Sequence, residues 1–203
     1  MDETNEVWVD VAFPLAGASV PLDHGYPLFG AVASVLGDLH GVTWLAIHPL
    51  RGTPLPGKAL AVARHKPALR LRVELTHIPQ VLELAGKTLR VAGTSLHVGT
   101  SRVFPIRPQT SLIARMVIIK GFTEEGPFLE AIGRQLEAMD AKCDVEVRRR
   151  RVTSIAGDKV VGFGVKLSGL DEEASMRVQY RGLGGRQRMG CGVFVPLRER
   201  GQG

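Results

Sequence analysis

The sequence predicts an α+β fold made of two tandem ferredoxin-like (RRM-like) units, each with the element order βαββαβ. Three observations support this prediction: the same order occurs twice, the halves meet at a stretch containing Pro105 and Pro108, and 203 residues suffice for two small domains. We therefore expect an N-terminal unit over residues 1–98, a linker over 99–110 and a C-terminal unit, which includes a Gly-rich loop, over 111–203.

The N-terminal half shows strand and helix patterns in the order of one such unit. Val7–Leu15 alternates apolar and polar residues, which predicts a strand, and Gly25–Leu39 has apolar residues at helical spacing with Asp23 as a cap. The other elements expected in this half are a strand at Trp44–His48, pieces of one strand or hairpin arm at Ala59–Ala63 and Leu69–Leu75, a short helix at Ile78–Leu84, and a strand at Thr88–Val98 interrupted at Gly93.

The C-terminal half repeats this order. Leu112–Lys120 is a β-branched run, and Thr123 is placed to cap a helix with an apolar face. The remaining predicted elements are a hairpin formed by Asp144–Ile155 and Val160–Leu167 with a turn at Gly157-Asp158, a polar-capped helix at Asp171–Tyr180, and a last strand at Met189–Val195.

The charge balance favours a polyanionic partner. The chain has 26 Lys+Arg against 20 Asp+Glu, a net charge of +6, and the excess is concentrated in a few segments. No apolar stretch approaches the roughly 18 residues needed to cross a bilayer, and the first residues are acidic, so we expect a cytoplasmic protein without a membrane partner. Cys143 and Cys191 lie in unrelated segments, which excludes a disulfide framework and a cysteine-built zinc site.

The glycine segment, residues 182–192, is the most specific local signal. Its glycines are expected to leave backbone N–H groups uncovered, so that phosphate can approach closely. Its arginines can donate paired hydrogen bonds to phosphate oxygens. The plainer alternative is a flexible turn whose glycines serve packing. Gln187 stands where a dinucleotide-binding fingerprint requires its third glycine, so a nucleotide enzyme is not predicted. The candidate RNA-binding residues of this segment are Gly184, Gly185, Arg186, Gln187 and Arg188.

A run of four arginines lies within a predicted strand, at Arg148, Arg149, Arg150 and Arg151. Alternate side chains of a strand point to opposite faces, so the run would form two rows of guanidinium groups able to follow a phosphate backbone. A charge run is more often a solvated face, but four consecutive arginines favour nucleic acid. Aromatic residues make up only 5% of the chain, which favours shape and phosphate recognition of a folded RNA over base stacking. Other basic residues that extend this surface are Arg102, Arg107, Arg115 and Lys120.

The histidines are the candidate acid/base residues. The chain has six, at His24, His40, His48, His65, His77 and His97. Their spacing matches no HExxH or H-x-H motif, so no metal site is predicted. His40 falls just beyond the first predicted helix and His48 ends the next strand, where an imidazole can act as an acid or base near neutral pH. A purely structural role is the alternative for each.

The glycine segment, written G-h-G-x₅-G-h-G, and the doubled βαββαβ order resemble the CRISPR-associated endoribonucleases that process repeat transcripts (pre-crRNA) into guide RNAs. The similarity spans most of the chain and is greatest to the compact branch associated with the Myxococcus-type (MYXAN) subtype. The segments that resemble this branch are Leu22–Phe29, Leu39-His40, Ile47–Pro49, Val117–Phe122 and Gly184–Gly192.

The resemblance implies cleavage without metal or cofactor, in which a histidine helps deprotonate the ribose 2′-hydroxyl and the products carry a 2′,3′-cyclic phosphate and a 5′-hydroxyl. Family members commonly place this histidine at or just after the first helix, which His40 matches best, with His48 and then His24 as alternatives. The resemblance further implies a repeat RNA stem-loop as partner, held by the glycine segment, the arginine run and Lys120. Other subunits of an effector complex are implied if the product stays bound. The candidate assisting residues are Tyr26, Arg51 and Lys120.

Two other functions stay open from the sequence. One is a non-catalytic subunit that binds repeat RNA within a CRISPR complex. The other is a ferredoxin-like regulatory or small-molecule domain whose arginines are only solvated. RNA cleavage separates the first from an enzyme, and weak, unselective RNA binding that collapses with modest salt would indicate the second.

Overall fold

The computed structural model describes residues 7–17, 19–62 and 67–197, and these form two compact units. Unit 1 contains the described residues up to Pro105 together with Arg188–Gly190, and unit 2 contains Ile106–Gln187 and the described residues from Cys191 onward. The division after Pro105 falls within the stretch 99–110 that was expected to link the units. The assignment of Arg188–Gly190 to unit 1 was not anticipated from the sequence.

Unit 1 is built from a central sheet, a smaller sheet and two helices. Its elements in chain order are β1 (Trp8–Ala16), β2 (Ser19–Pro21), α1 (Gly25–Leu36), β3 (Leu45–Ile47), β4 (Gly52–Leu55), β5 (Ala59–Val62), β6 (Ala68–Glu74), α2 (Ile78–Leu82), β7 (Thr88–Val91), β8 (Thr94–Val98) and β9 (Arg102–Pro105).

The central sheet of unit 1 has the antiparallel order β3-β6-β1-β8-β7, and β9 also pairs with β1. The four strands β1, β3, β6 and β8, with α1 and α2 as connections, give the ferredoxin-like order in which the first and third strands lie side by side. The core forms where Val11 and Phe13 of β1 and Leu71 of β6 cluster with Leu28 and Val32 of α1.

Several details of unit 1 differ from the sequence-based prediction. The stretch Thr88–Val98 is a hairpin and not one interrupted strand, because Ala92 and Gly93 both take positive φ, as a two-residue hairpin turn requires. The proposed strand pieces belong to different sheets: β5 pairs with β2 and β4, whereas β6 is central. Ala63 lies outside the described residues. Part of the expected linker is a strand, since Arg102–Pro105 pairs with β1.

Helix α1 also differs from its prediction at both ends. It ends at Leu36 and not Leu39, because Gly37 has φ +85 and turns the chain out of the helix. Its N-cap position is occupied by His24 and not Asp23, with no side-chain cap hydrogen bond among the described residues. The three residues beyond Gly37 are therefore a turn, which places His40 outside the helix.

Unit 2 repeats the same topology. Its elements in chain order are β10 (Ser111–Val117), α3 (Glu125–Glu137), β11 (Asp144–Ile155), β12 (Asp158–Ser168), α4 (Glu172–Arg181) and β13 (Val195–Pro196). The sheet order is β11-β12-β10-β13, again with the first and third strands adjacent. Phe128 and Ile132 of α3 and Val178 of α4 are buried with Phe163 and Val165 of β12. The prediction of tandem ferredoxin-like units is thus confirmed.

The ends of the elements in unit 2 follow local chemistry. Asp171 caps α4 as predicted, since its Oδ1 accepts a hydrogen bond of 2.7 Å from the backbone N–H of Ala174. The predicted cap Thr123 is replaced by Glu124 at the start of α3. The last strand is only Val195–Pro196, because glycines with positive φ interrupt the predicted run. None of the helices within the described ranges is long and apolar enough to cross a membrane.

Candidate functional site

His40 lies on the turn that follows α1, and its imidazole is exposed. The turn is bounded by Gly37 and Gly41, whose φ values are +85 and +75. The backbone N–H of His40 donates a hydrogen bond of 2.8 Å to Oδ1 of Asp38. The ring meets the edge of the Phe29 ring at 5.8 Å between centroids and an angle of 87°. His40 therefore packs against the buried ring of Phe29 while its imidazole remains exposed to solvent.

Arg188 contacts the same turn within unit 1. Its Nη1 donates to the carbonyl oxygen of Leu39, and its Cζ lies 5.8 Å from the centroid of the Phe29 ring. Phe29 thus contacts both the His40 ring and the Arg188 guanidinium. The sequence placed these two residues in separate candidate groups, one for acid/base chemistry and one for RNA binding, and the structure brings them together.

His24 is buried, with 2% of its surface exposed, and both of its ring nitrogens have partners. Nε2 accepts a hydrogen bond of 2.9 Å from the backbone N–H of Leu50, so Nδ1 carries the proton and donates to the carbonyl oxygen of Pro21 at 3.1 Å. His24 therefore ties the residues before α1 to the segment after β3, a role that favours fold stability over acid/base chemistry.

His48 is also buried, in a polar network on the sheet of unit 1. Its Nε2 lies 3.3 Å from a carboxylate oxygen of Asp10, and Arg72 donates to both oxygens of that carboxylate at 2.9 and 3.3 Å. Burial lowers the pKa of His48, and the nearby carboxylate of Asp10 only partly opposes this shift. Burial alone would raise the pKa of Asp10, but the adjacent His48 imidazole and the charge of Arg72 lower it well below its usual range. A neutral His48 in this network favours a structural role.

The glycine segment of unit 2 uses its backbone N–H groups within the protein. Gly184 donates to Oε1 of Gln135 at 2.7 Å, and Gly185 donates to the carbonyl oxygen of Ile118 at 2.9 Å. The expectation that these glycines leave N–H groups uncovered for phosphate is therefore wrong for both. Gly184 has φ +70, and a Cβ there would meet the Ile118 carbonyl oxygen, so the close approach of two backbones explains this glycine.

The same segment presents other groups to solvent. Gly185 is exposed, and a Cβ placed on it would meet nothing within 4 Å among the described residues. Arg186 is exposed at φ +67, and its carbonyl oxygen accepts from the N–H of Cys191 at 3.2 Å, which closes the loop. The side chain of Gln187 donates to the carbonyl oxygen of Arg181. Arg186 is therefore the exposed cation of the segment in unit 2.

The arginine run lies on β11 at a β-bulge. The register with β12 shifts between Val147 and Arg150, and β10 has a matching shift between Ala114 and Val117 opposite the same residues of β12. Gly164 of β12 lies between the two bulges, where a Cβ would come within 3.2 Å of the Cβ of Arg148. The predicted strict alternation of the four arginines is therefore broken.

The bulges divide the arginines into different environments. Nε of Arg148 lies 3.2 Å from Oε1 of Glu146, and Nζ of Lys166 lies 3.3 Å from the other oxygen of this carboxylate, so Glu146 partly offsets the charge of Arg148. Arg151 lies close to Arg149 and to Arg115 of β10: its pKa is lowered by burial and then by the charges of these two neighbours. Among the described residues, Nε of Arg151 is buried without a hydrogen-bond partner, and none of these three forms an ion pair with Asp or Glu. We call Arg115, Arg149 and Arg151 the arginine cluster.

Other candidate residues are placed as follows. Lys120, Tyr26 and Arg51 are exposed. His77 stacks on Trp44 at 4.3 Å between ring centroids, Nδ1 of His97 lies 2.9 Å from the Thr88 hydroxyl, and His65 lies outside the described residues. Within the described ranges, no group of three or more His, Cys, Asp and Glu residues is arranged to hold a metal ion.

Sequence reasoning missed one polar feature of unit 1. Arg70 donates to Asp10 at 3.3 Å and its Cζ lies 5.2 Å from the centroid of the exposed Phe104 ring. The spacing of Arg70 and Arg72 was the available signal, because two arginines separated by one residue in a strand share a face. The acidic partner, Asp10, could not be assigned without the pairing of β1 and β6.

Comparison with known proteins decides the family. The family model described as Cas6 Crispr matches residues 9–199. The chain belongs to the Cas6 family. This Cas6 chain is 40% identical over 190 residues to the CRISPR-associated endonuclease Cas6 of Myxococcus xanthus (strain DK1622), covering 94% of this chain and 82% of that protein. The family resemblance found in the sequence is confirmed.

Solved structures show the same fold at low sequence identity. A CRISPR-associated protein Cas6 has a TM-score of 0.70 at 14% identity, covering 94% of this Cas6 chain and all of that chain. A CRISPR endoribonuclease Cse3 bound to a 19-nucleotide RNA has a TM-score of 0.54 at 13% identity, covering 93% of this chain and 98% of that one. Both similarities extend over the two units.

Proposed function

We propose that this Cas6 family member is a metal-independent endoribonuclease of the cytoplasm that cuts CRISPR repeat transcripts into guide RNAs. RNA supplies the nucleophile: the ribose 2′-oxygen loses its proton and bonds to the adjacent phosphorus. The bond from phosphorus to the 5′-oxygen then breaks, and that oxygen gains a proton. The products are a 2′,3′-cyclic phosphate and a 5′-hydroxyl.

The exposure of His40 is the observation that supports this proposal most directly. Of the three histidines considered for acid/base chemistry, His24 and His48 are buried, whereas His40 is exposed on a turn bounded by glycines. An imidazole at such a position can take the proton of the 2′-hydroxyl or give one to the leaving oxygen. His40 is therefore the proposed general base or acid.

The arginine cluster supports RNA binding. The guanidinium of Arg151 is repelled by those of Arg115 and Arg149, and a phosphate anion placed beside it would relieve that repulsion and satisfy its buried Nε. Arg150 is exposed on the same strand, whereas Arg148 pairs with Glu146. We propose that the cluster binds phosphates of a repeat stem-loop and that the product, which keeps those phosphates, stays bound for assembly with other subunits.

A second basic surface of unit 2 extends this proposal. Gly185 and Ile118 form an isolated antiparallel bridge, so Arg186 and Lys120 lie on adjacent segments beside it, and both are exposed. Gly185 offers a bare Cα to which a sugar or phosphate can approach. We include these residues in the proposed RNA-binding surface.

The test compares His40→Ala with the wild type on repeat RNA, with and without a 2′-deoxy block at the cleaved nucleotide. The wild type should cut only the unblocked RNA, in the presence of EDTA, and mass spectrometry should find the cyclic phosphate. His40→Ala should cut at least about 100-fold more slowly while its Kd for blocked RNA changes less than about twofold, since acid–base catalysis contributes about 10²–10⁴-fold. His97→Ala, which removes another exposed histidine, is the control.

Two results would overturn the proposal. Full activity of His40→Ala would exclude its assigned role. Tight binding of both RNAs without any cut by the wild type would instead identify a non-catalytic repeat-RNA-binding subunit.

A further inference from the structure

The segment Arg188–Gly190 packs closely on the residues around α1 within unit 1. A Cβ on Gly25 would meet the carbonyl oxygen of Met189, and a Cβ on Gly190 would lie 3.1 Å from Cγ of Pro49. Met189 also packs against the core of unit 1. The backbone of residues 189 and 190 therefore packs closely against Gly25 and Pro49, and the side chain of Arg188 extends from next to these fixed positions.

The side chain of Arg188 reaches the peptide bond that joins Leu39 to His40. Its Nη1 donates to the carbonyl oxygen of Leu39, while the N–H at the other end of this same peptide donates to Oδ1 of Asp38. A peptide unit is planar and rigid, so two hydrogen bonds at its opposite ends fix the orientation of its plane. The plane in turn fixes the position of the His40 Cα.

The ring of Phe29 adds a second constraint on the position of His40. The ring is 4% exposed, and it meets the His40 imidazole edge-on and the Arg188 guanidinium over its face, each at 5.8 Å. A cation over an aromatic face and an edge-on ring pair are both favourable, so Phe29 is held from two directions. Arg188 therefore acts on the backbone of His40 directly and on its ring through Phe29.

We propose that Arg188 is a positioning residue for His40, and that it orients the imidazole for proton transfer in place of binding RNA phosphate as the sequence predicted. The inference rests on the proposed function for its effect on cleavage. Its structural part, the effect on the His40 turn, holds in the protein without RNA. The two parts are therefore tested separately.

The activity test uses Arg188→Ala and Arg188→Lys under single-turnover conditions with protein in excess. Arg188→Ala should slow cleavage about 10- to 100-fold, the scale of a small misplacement of a catalytic group, while the Kd and its salt dependence for blocked RNA stay at wild-type values. Arg188→Lys keeps one donor for the Leu39 carbonyl and should recover part of the rate. Adding Arg188→Ala to His40→Ala should cause no further loss.

Two other arginine variants serve as controls for Arg188→Ala. Arg186→Ala removes the exposed arginine two residues earlier, and it should weaken RNA binding and lower the salt slope by about 0.7 to 0.9. Arg90→Ala removes an exposed arginine of β7 and should behave as the wild type. If Arg188→Ala instead behaves as Arg186→Ala, with weaker binding and an unchanged single-turnover rate, Arg188 is a phosphate ligand and the inference is wrong.

The structural test is NMR of RNA-free protein with labelled histidine. Arg188→Ala should shift the His40 imidazole signals and speed amide exchange at His40, with the melting temperature as the check that the variant is folded; if Arg188→Ala fails to fold, Arg188→Lys takes its place in the same experiment. Unchanged His40 signals in a folded variant would overturn the inference. If the wild type does not cleave RNA, the proposed function fails, yet the NMR result still decides whether Arg188 orients His40.

Discussion

The arginine cluster allows a quantitative test of RNA binding, because β11 also supplies a matched control. The perturbation is replacement of Arg115, Arg149 and Arg151 by alanine, singly and together. The control is Arg148→Ala, which removes an arginine of the same run that already pairs with Glu146 at 3.2 Å. All four side chains are on strands that stay paired, so the variants should fold.

The magnitude follows from the number of unpaired charges. Each arginine that replaces counterions on one phosphate contributes about 0.7 to 0.9 to the slope of log Kobs against log salt concentration. At about 0.15 M salt, this corresponds to about a four- to fivefold change in Kd per arginine. The triple variant should therefore bind about 50- to 150-fold more weakly, with a slope shallower by about 2 to 3.

The assay is fluorescence anisotropy with blocked repeat RNA at several salt concentrations. Because the pKa of Arg151 is lowered by its like-charged neighbours, removal of Arg149 or Arg115 also relieves repulsion in the free protein. For this reason, the loss of RNA affinity in each single variant should be no greater than the calculated change of about four- to fivefold. Equal effects of Arg148→Ala and Arg149→Ala, or an unchanged slope in the triple variant, would refute the reasoning.

Three predictions concern stability and are measured by urea denaturation. Gly184→Ala should cost about 1–3 kcal/mol, because the residue has φ +70 and a Cβ there meets a backbone carbonyl oxygen, whereas Gly185→Ala should stay within about 0.5 kcal/mol. Equal losses would contradict this difference. Asp10→Asn should cost about 3–5 kcal/mol of unfolding free energy, because it removes the carboxylate charge that pairs with the guanidinium of Arg72, which is 2% exposed; a loss below 1 kcal/mol would exclude a strong buried pair. The free energy of unfolding should fall as pH drops below 6.5, because burial lowers the pKa of His48 in the fold and the unfolded chain takes up the proton first. It should fall further below about pH 4, where the stabilisation from the lowered pKa of Asp10 is lost. A flat profile between pH 7 and 5 would contradict the burial of His48.

The features that the sequence predicted well depend on local patterns. The apolar spacing of α1 and the capping of α4 by Asp171 involve residues within a few positions of each other, and both appear in the structure. The hairpin of β11 and β12 was also predicted, because its long strands alternate and a glycine marks the turn. Two repeated units followed from the order of these local elements.

The features that could not be predicted depend on pairing between distant segments. The β-bulge in the arginine run is a property of its register with β12, which places Gly164 opposite it, and the run itself does not indicate this. The N–H groups of Gly184 and Gly185 have partners on segments more than 45 residues away, so a glycine-rich pattern could not show that they are occupied. Likewise, burial separates His40 from His48, and burial is a property of the folded chain.

The bulge on β11 has a consequence for how the length of this strand can vary among relatives. Between the pairs formed by Val147 and Arg150 with β12, β11 holds one residue more than its partner. Loss of Arg149 by deletion would restore a regular ladder, with Arg148 opposite Gly164 and every pair beyond it unchanged. Deletion of one residue at the bulge therefore changes how many cations the strand presents without shifting the hairpin, so the number of arginines on this strand can vary while the fold is kept.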